Sequence, residues 1–63
     1  MEHRYVCVVY LSDGKTIVLS EHCDTAIEAV ERADAWRKLG HIANAYRNEL
    51  NLDTFELVSH QIY

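Results

Sequence analysis

Proline is absent from this 63-residue chain, glycine occurs twice, cysteine twice and tryptophan once. Without proline, the closing segment 55–63 can pair as a strand along its full length. Two cysteines are too few for a secreted disulfide scaffold. No apolar run approaches the roughly 20 residues of a membrane span, and Met1-Glu2-His3-Arg4 leads straight into strand-like sequence rather than a signal peptide. A cytoplasmic location without membrane contact is therefore expected. Positive charge is also scarce: six Lys and Arg stand against ten Asp and Glu, for a net charge of −4. The basic residues are scattered, so no stripe exists to neutralise a phosphate backbone, which argues against direct nucleic-acid binding. No catalytic motif or phosphate loop appears, so the chain is read as a non-enzyme that needs no cofactor.

What is present describes one small folded domain over residues 1–63. Apolar residues make up 49% and charged residues 25%, ordinary for a globular chain. A domain this short buries only about 60% of its unfolded surface. Of the usual compensations, regular packing and a partner subunit are the two available.

Asp13-Gly14 separates the β-branched runs Tyr5–Leu11 and Thr16–Ser20 and predicts a hairpin with a two-residue turn. In that register Ser12 faces Lys15, Tyr10 faces Ile17, Val8 faces Leu19 and Val6 faces Glu21. Alternation then places Val6, Val8, Tyr10, Ile17 and Leu19 on one sheet face, taken as the core. Tyr5, Cys7, Val9, Leu11, Thr16, Val18 and Ser20 share the other face. That second face is too apolar for water, and a second copy of the chain or another protein is the expected cover.

Thr25-Ala26-Ile27-Glu28 is a capping box, in which Thr25 accepts from the N–H of Glu28 and Glu28 reaches back to the N–H of Thr25. A helix over residues 25–39 follows, with Ala26, Ala29, Val30, Ala33 and Trp36 on one stripe. Glu28 with Arg32 and Asp34 with Lys38 are spaced for i,i+4 ion pairs. Gly40 marks a break. Leu39, Ala43, Tyr46 and Leu50 share a side turned away from the first stripe, which predicts a separate short helix over 42–50 beyond the break; a continuous helix through Gly40 is the alternative. Asn51-Leu52-Asp53 reads as a turn into a closing strand. The expected fold is α+β, a two-layer β-β-α-α-β domain with a three-stranded sheet.

His3, Cys7 and His22 fall on one face in this register and are the candidate metal ligands, one short of a closed zinc site; Cys23 points to the opposite face, which also argues against a Cys7–Cys23 disulfide. His22 beside Cys23 is the only Cys-His neighbour pair, and an extended chain sends the two side chains apart. Candidate contact residues for a partner are Tyr5, Val9, Leu11 and Val18 from the second face, with Tyr46 as an aromatic anchor.

The hairpin followed by Thr25, Glu28, Ala29, Glu31, Ala33 and Trp36 resembles the small phage-encoded proteins that bind and inhibit host machinery, among them the short inhibitors of host RNA polymerase from T7-like phages. The resemblance implies a phage or mobile-element origin and a host or bacterial protein as target. The same segment is similar to the arm-binding domains of integrases, which are basic where this chain is acidic. The leading expectation is a non-catalytic interaction or inhibitor protein working as a homodimer; an oligomeric nucleic-acid-associated regulator and a small metal-binding module are the alternatives.

Overall fold

A computed structural model describes residues 3–63, with the side chain of His3, like Met1 and Glu2, outside the described residues. The elements are β1 (His3–Tyr10), β2 (Ile17–Cys23), α1 (Ala26–Lys38), β3 (Ile42–Asn51) and β4 (Glu56–Gln61). The class is α+β, as expected, but the sheet has four strands in the order β2-β1-β3-β4, every pair antiparallel. One helix covers one face.

The hairpin loop is longer than the expected two residues. Leu11 N–H bonds the Thr16 carbonyl at 2.9 Å and Gly14 N–H bonds the Leu11 carbonyl at 2.9 Å. Only Gly14 takes a positive φ, 71°, so the double positive φ of a two-residue primed turn is not formed. Asp13 holds the loop instead, its carboxylate accepting from the N–H groups of Lys15 and Thr16 and from the Thr16 hydroxyl. Tyr10 faces Ile17 as predicted. Between Val9 and Tyr10 the ladder then shifts, leaving Val18 unpaired as a bulge. Val9 consequently faces Leu19, Cys7 faces Glu21 and Val6 faces His22. One extra residue thus moves every later β2 side chain to the other face.

The helix begins and ends as its sequence dictates. Thr25 Oγ1 accepts from Glu28 N–H at 3.1 Å, while Glu28 reaches back one residue further than expected, to the N–H of Asp24 at 3.3 Å. At the other end Gly40 (φ 92°) donates to the Arg37 carbonyl at 3.0 Å and His41 N–H donates to the Trp36 carbonyl at 3.1 Å. These two bonds are a Schellman stop, which needs a residue at ease in the left-handed region. The break at Gly40 is therefore present, and neither a continuous helix nor a second one follows.

Residues 42–50 form β3 rather than the predicted short helix. Ala43 and Ala45 are buried against the core while Asn44 and Tyr46 turn to the opposite face, a period of two. β1 supplies the reason. Its other edge needs a pairing partner, and β3 meets it over eight consecutive residue pairs from His3↔Glu49 to Tyr10↔Ile42.

The helix lies on Cys7, Val9, Cys23, Ala43 and Ala45, against which it sets Ala29 and Ala33. Small side chains on both sides permit that close approach, and Tyr5, Val30, Trp36 and Tyr63 flank the contact. The predicted choice of core face is thus reversed. Val6 and Val8 lie on the face without a helix yet are only 5% and 7% exposed. Their neighbours across the ladders, His22 and Tyr46 for Val6 and Ser20 and Asn44 for Val8, flank them within the layer. A central strand can therefore be shielded from the sides without a second layer above it.

Candidate interaction surface

Apart from Ile27 and Leu39 at the helix, most of the large exposed apolar side chains among the described residues gather in two places. The first is a cavity of about 420 Å³ between the hairpin loop and the C-terminal end of α1, within the usual size range of ligand and side-chain pockets. Leu11, Val18, Leu19, Trp36, His41 and Ile42 line it. Leu11 is 50% and Val18 59% exposed. Trp36 forms a fixed wall: its Nε1 donates to Glu21 Oε1 at 2.9 Å, and its ring meets His41 edge-on, with centroids 5.3 Å apart. Glu21 also accepts from Arg32, which in turn pairs with Glu28. The rim of the cavity is thus tied to β2 and α1 by polar contacts, and Leu11 and Val18 remain outside the core.

The second place is the β3–β4 hairpin. α1 packs on β1, β2 and β3 but makes no contact with β4, and the molecule extends 39 Å along its longest axis against 14 Å along its shortest. Leu50, Leu52, Phe55, Leu57 and Val58 are all exposed on this arm. Its side chains pair across the strands, Ser59 Oγ with Asn48 Oδ1 at 2.7 Å and His60 Nε2 with Glu49 Oε2 at 3.6 Å.

A polar chain joins the two faces. β4 pairs with β3 only from Tyr46 onward, with Ala45 closing on Ile62 and Tyr63, which leaves the carbonyl of Ala43 on an open edge. Arg37 covers it, donating Nε to Ala43 O at 2.7 Å and Nη2 to Asn44 Oδ1 at 3.1 Å. Asn44 Nδ2 donates to the Tyr46 hydroxyl at 3.0 Å, and Tyr46 and Tyr10 share a hydroxyl bond of 2.8 Å. Burial and this bond push the Tyr10 phenol up to about 12.

The expected contact residues separate accordingly. Leu11 and Val18 stand at the cavity. Val9 is buried beneath the helix at the inner wall of the cavity, and Tyr5 packs half-buried against the core, away from the cavity. Tyr46 lies half-buried on the opposite face, hydrogen-bonded to Tyr10 and Asn44. The bulge also undoes the proposed metal set. Cys7 lies beneath the helix, His22 faces Val6 on the far side of the sheet, and the His3 side chain lies outside the described residues. Among the described residues no group of three or more His, Cys, Asp or Glu is placed to hold a metal ion.

Cys7 and Cys23 share the core face, contrary to the opposite-face expectation, and both are thiols. Burial first, then nearby carboxylates, Glu21 for Cys7 and Glu28 for Cys23, push both thiols up, away from the thiolate that nucleophilic chemistry requires. Sequence reasoning missed Leu19, His41 and Ile42 at the cavity because the bulge and β3 place them there; exposed β-branched and leucine residues next to a glycine stop were the available signal. Among the described residues no helix is long and apolar enough to cross a membrane. Compared with protein-family models, with curated proteins and with solved structures, the chain matches none of them.

Proposed function

We propose that this chain is a non-catalytic protein-binding module that acts as a homodimer and offers the apolar cavity at the hairpin end to a second protein, a host or bacterial protein on the resemblance to phage inhibitors. The observation that carries the reading is the exposure of Leu11 and Val18 beside a Trp36 wall already held by Glu21. Rigid aromatics flanked by apolar side chains are the usual anchors of protein contacts. The raised thiols support a binding role over a nucleophilic one.

Two measurements test it. Light scattering should give twice the 7.3 kDa of the single chain. The dye anilinonaphthalene sulfonate should fluoresce with the folded protein, and Val18→Lys should lower that signal while leaving the far-UV circular dichroism unchanged. A monomer that ignores the dye would overturn the reading.

A further inference from the structure

We propose that β4 is the seam of the homodimer: two copies pair β4 edge to edge about a two-fold axis through Val58, joining their sheets into one continuous sheet. The inference rests on the homodimer reading above and adds the surface and the register.

The two edges of the sheet differ. β2 carries the Val18 bulge, which twists its ladder, one of the devices by which edge strands avoid unwanted pairing. β4 has no bulge over Glu56–Gln61, and its one carboxylate, Glu56, stands at its first residue. Glu56–Gln61 contains no proline, lysine or arginine, pairs with β3 in unbroken register, and is exposed at every residue. Nor does the helix shield it, since α1 makes no contact with β4. A strand in this state is a template for another strand.

Which strand it accepts follows from the order of its residues. The bonds from Ala45 to Ile62 and Tyr63 set the alternation of main-chain groups along the hairpin. Val58 turns its N–H and C=O toward β3, while Leu57 and Ser59 turn theirs outward. Glu56, Val58 and His60 project from the same face.

An antiparallel pairing centred on Val58 therefore places Val58 against Val58 of the partner subunit. Leu57 and Ser59 of the partner subunit then exchange main-chain hydrogen bonds. Glu56 comes opposite His60 of the partner subunit, and the two-fold repeats that contact. His60 Nε2 already faces Glu49 of its own chain, so Nδ1 is the ring nitrogen that meets the carboxylate, donating to it when the imidazole is protonated. Shifting the centre by one residue sets Glu56 opposite Val58 or Ile62 of the partner subunit, an apolar side chain in place of the imidazole. Self-complementarity in this one register is why a second copy is the occupant.

The test combines light scattering with Val58→Cys and Val58→Lys. On the two-fold, facing residues of a non-hydrogen-bonded pair bring their Cβ atoms within disulfide range. V58C should thus form a covalent dimer on mild oxidation, reversed by dithiothreitol. Neither the parent protein, whose Cys7 and Cys23 are buried, nor Ile27→Cys on the exposed helix face should do so. V58K should halve the mass with the circular dichroism unchanged, because it sets two ammonium groups face to face. If the parent protein is a dimer but V58C fails to cross-link, the seam is overturned and the homodimer stands. If the parent protein is a monomer, both fall. Should V58K not fold, the V58C cross-link decides alone.

Discussion

The guanidinium carbon of Arg37 sits 4.0 Å from the centroid of the Tyr63 ring, while the Tyr63 hydroxyl donates to Asp34 Oδ1 at 2.7 Å. Arg37 and Asp34 stand three residues apart on α1, so one aromatic ring fastens the end of the chain to the helix at both its face and its tip. The same guanidinium closes the bare edge of β3 through the Ala43 carbonyl.

Arg37→Ala removes the ring contact and leaves the Ala43 carbonyl without its charged donor. The expected loss is about 1.5 kcal/mol, a fall of roughly 6–12 °C in melting temperature for a domain of this size. Arg37→Lys should recover only part of it, because an ammonium group cannot reproduce the planar fork that reaches Ala43 and Asn44 together. Thermal unfolding followed by circular dichroism measures both.

Tyr10 should ionise well above an ordinary tyrosine. Its folded value of about 12 lies above the ordinary value near 10, so the neutral phenol is favoured by folding. That stability is fully present below pH 10 and is lost as pH rises toward 12. Tyr46→Phe removes the hydroxyl bond but not the burial, and should move the Tyr10 transition part of the way back. Absorbance titration at alkaline pH shows whether it does.

Acid acts on the opposite sign. The Tyr63 hydroxyl and the Lys38 ammonium hold the Asp34 carboxyl below its ordinary value, and the bonds from Thr16 and Lys15 do the same for Asp13. Their contribution is present above the unfolded carboxyl value, about 4, and disappears as pH falls through the lower folded ones. Asp34→Asn and Asp13→Asn should each flatten the decline in stability below pH 4, read from urea midpoints across a pH series.

Phe55 adopts φ 56° in the β3–β4 loop and is 79% exposed. A residue with a Cβ pays for the left-handed region, and this one recovers little by burial. Phe55→Gly should therefore stabilise the protein by about 0.5–1 kcal/mol, with the melting temperature rising by a few degrees. A fall instead would show that the ring packs against something, which would itself point to a contact on the arm.

Much of the architecture was legible locally. Thr25 and Gly40 delimit α1, Asp13-Gly14 turns the hairpin, and Ala29 and Ala33 mark the packed stripe, because caps, turns and helical periodicity depend on residues a few positions apart. Segment 42–50 was not legible. Its alanines, Tyr46 and Leu50 fit a helical spacing as well as an alternating one, and only the need of β1 for a second neighbour selects the strand. The candidate site depended on the same kind of distant cause: a single unpaired residue at Val18 reversed the faces of β2 and separated His22 from Cys7, while the helix, by packing on the other face of β1, took Val9 and Tyr5 toward the core. Local chemistry determined where the chain turns, starts and stops; the choice of face and of strand partner was made by long-range pairing, since a ladder counts residues across strands and no single segment carries that count.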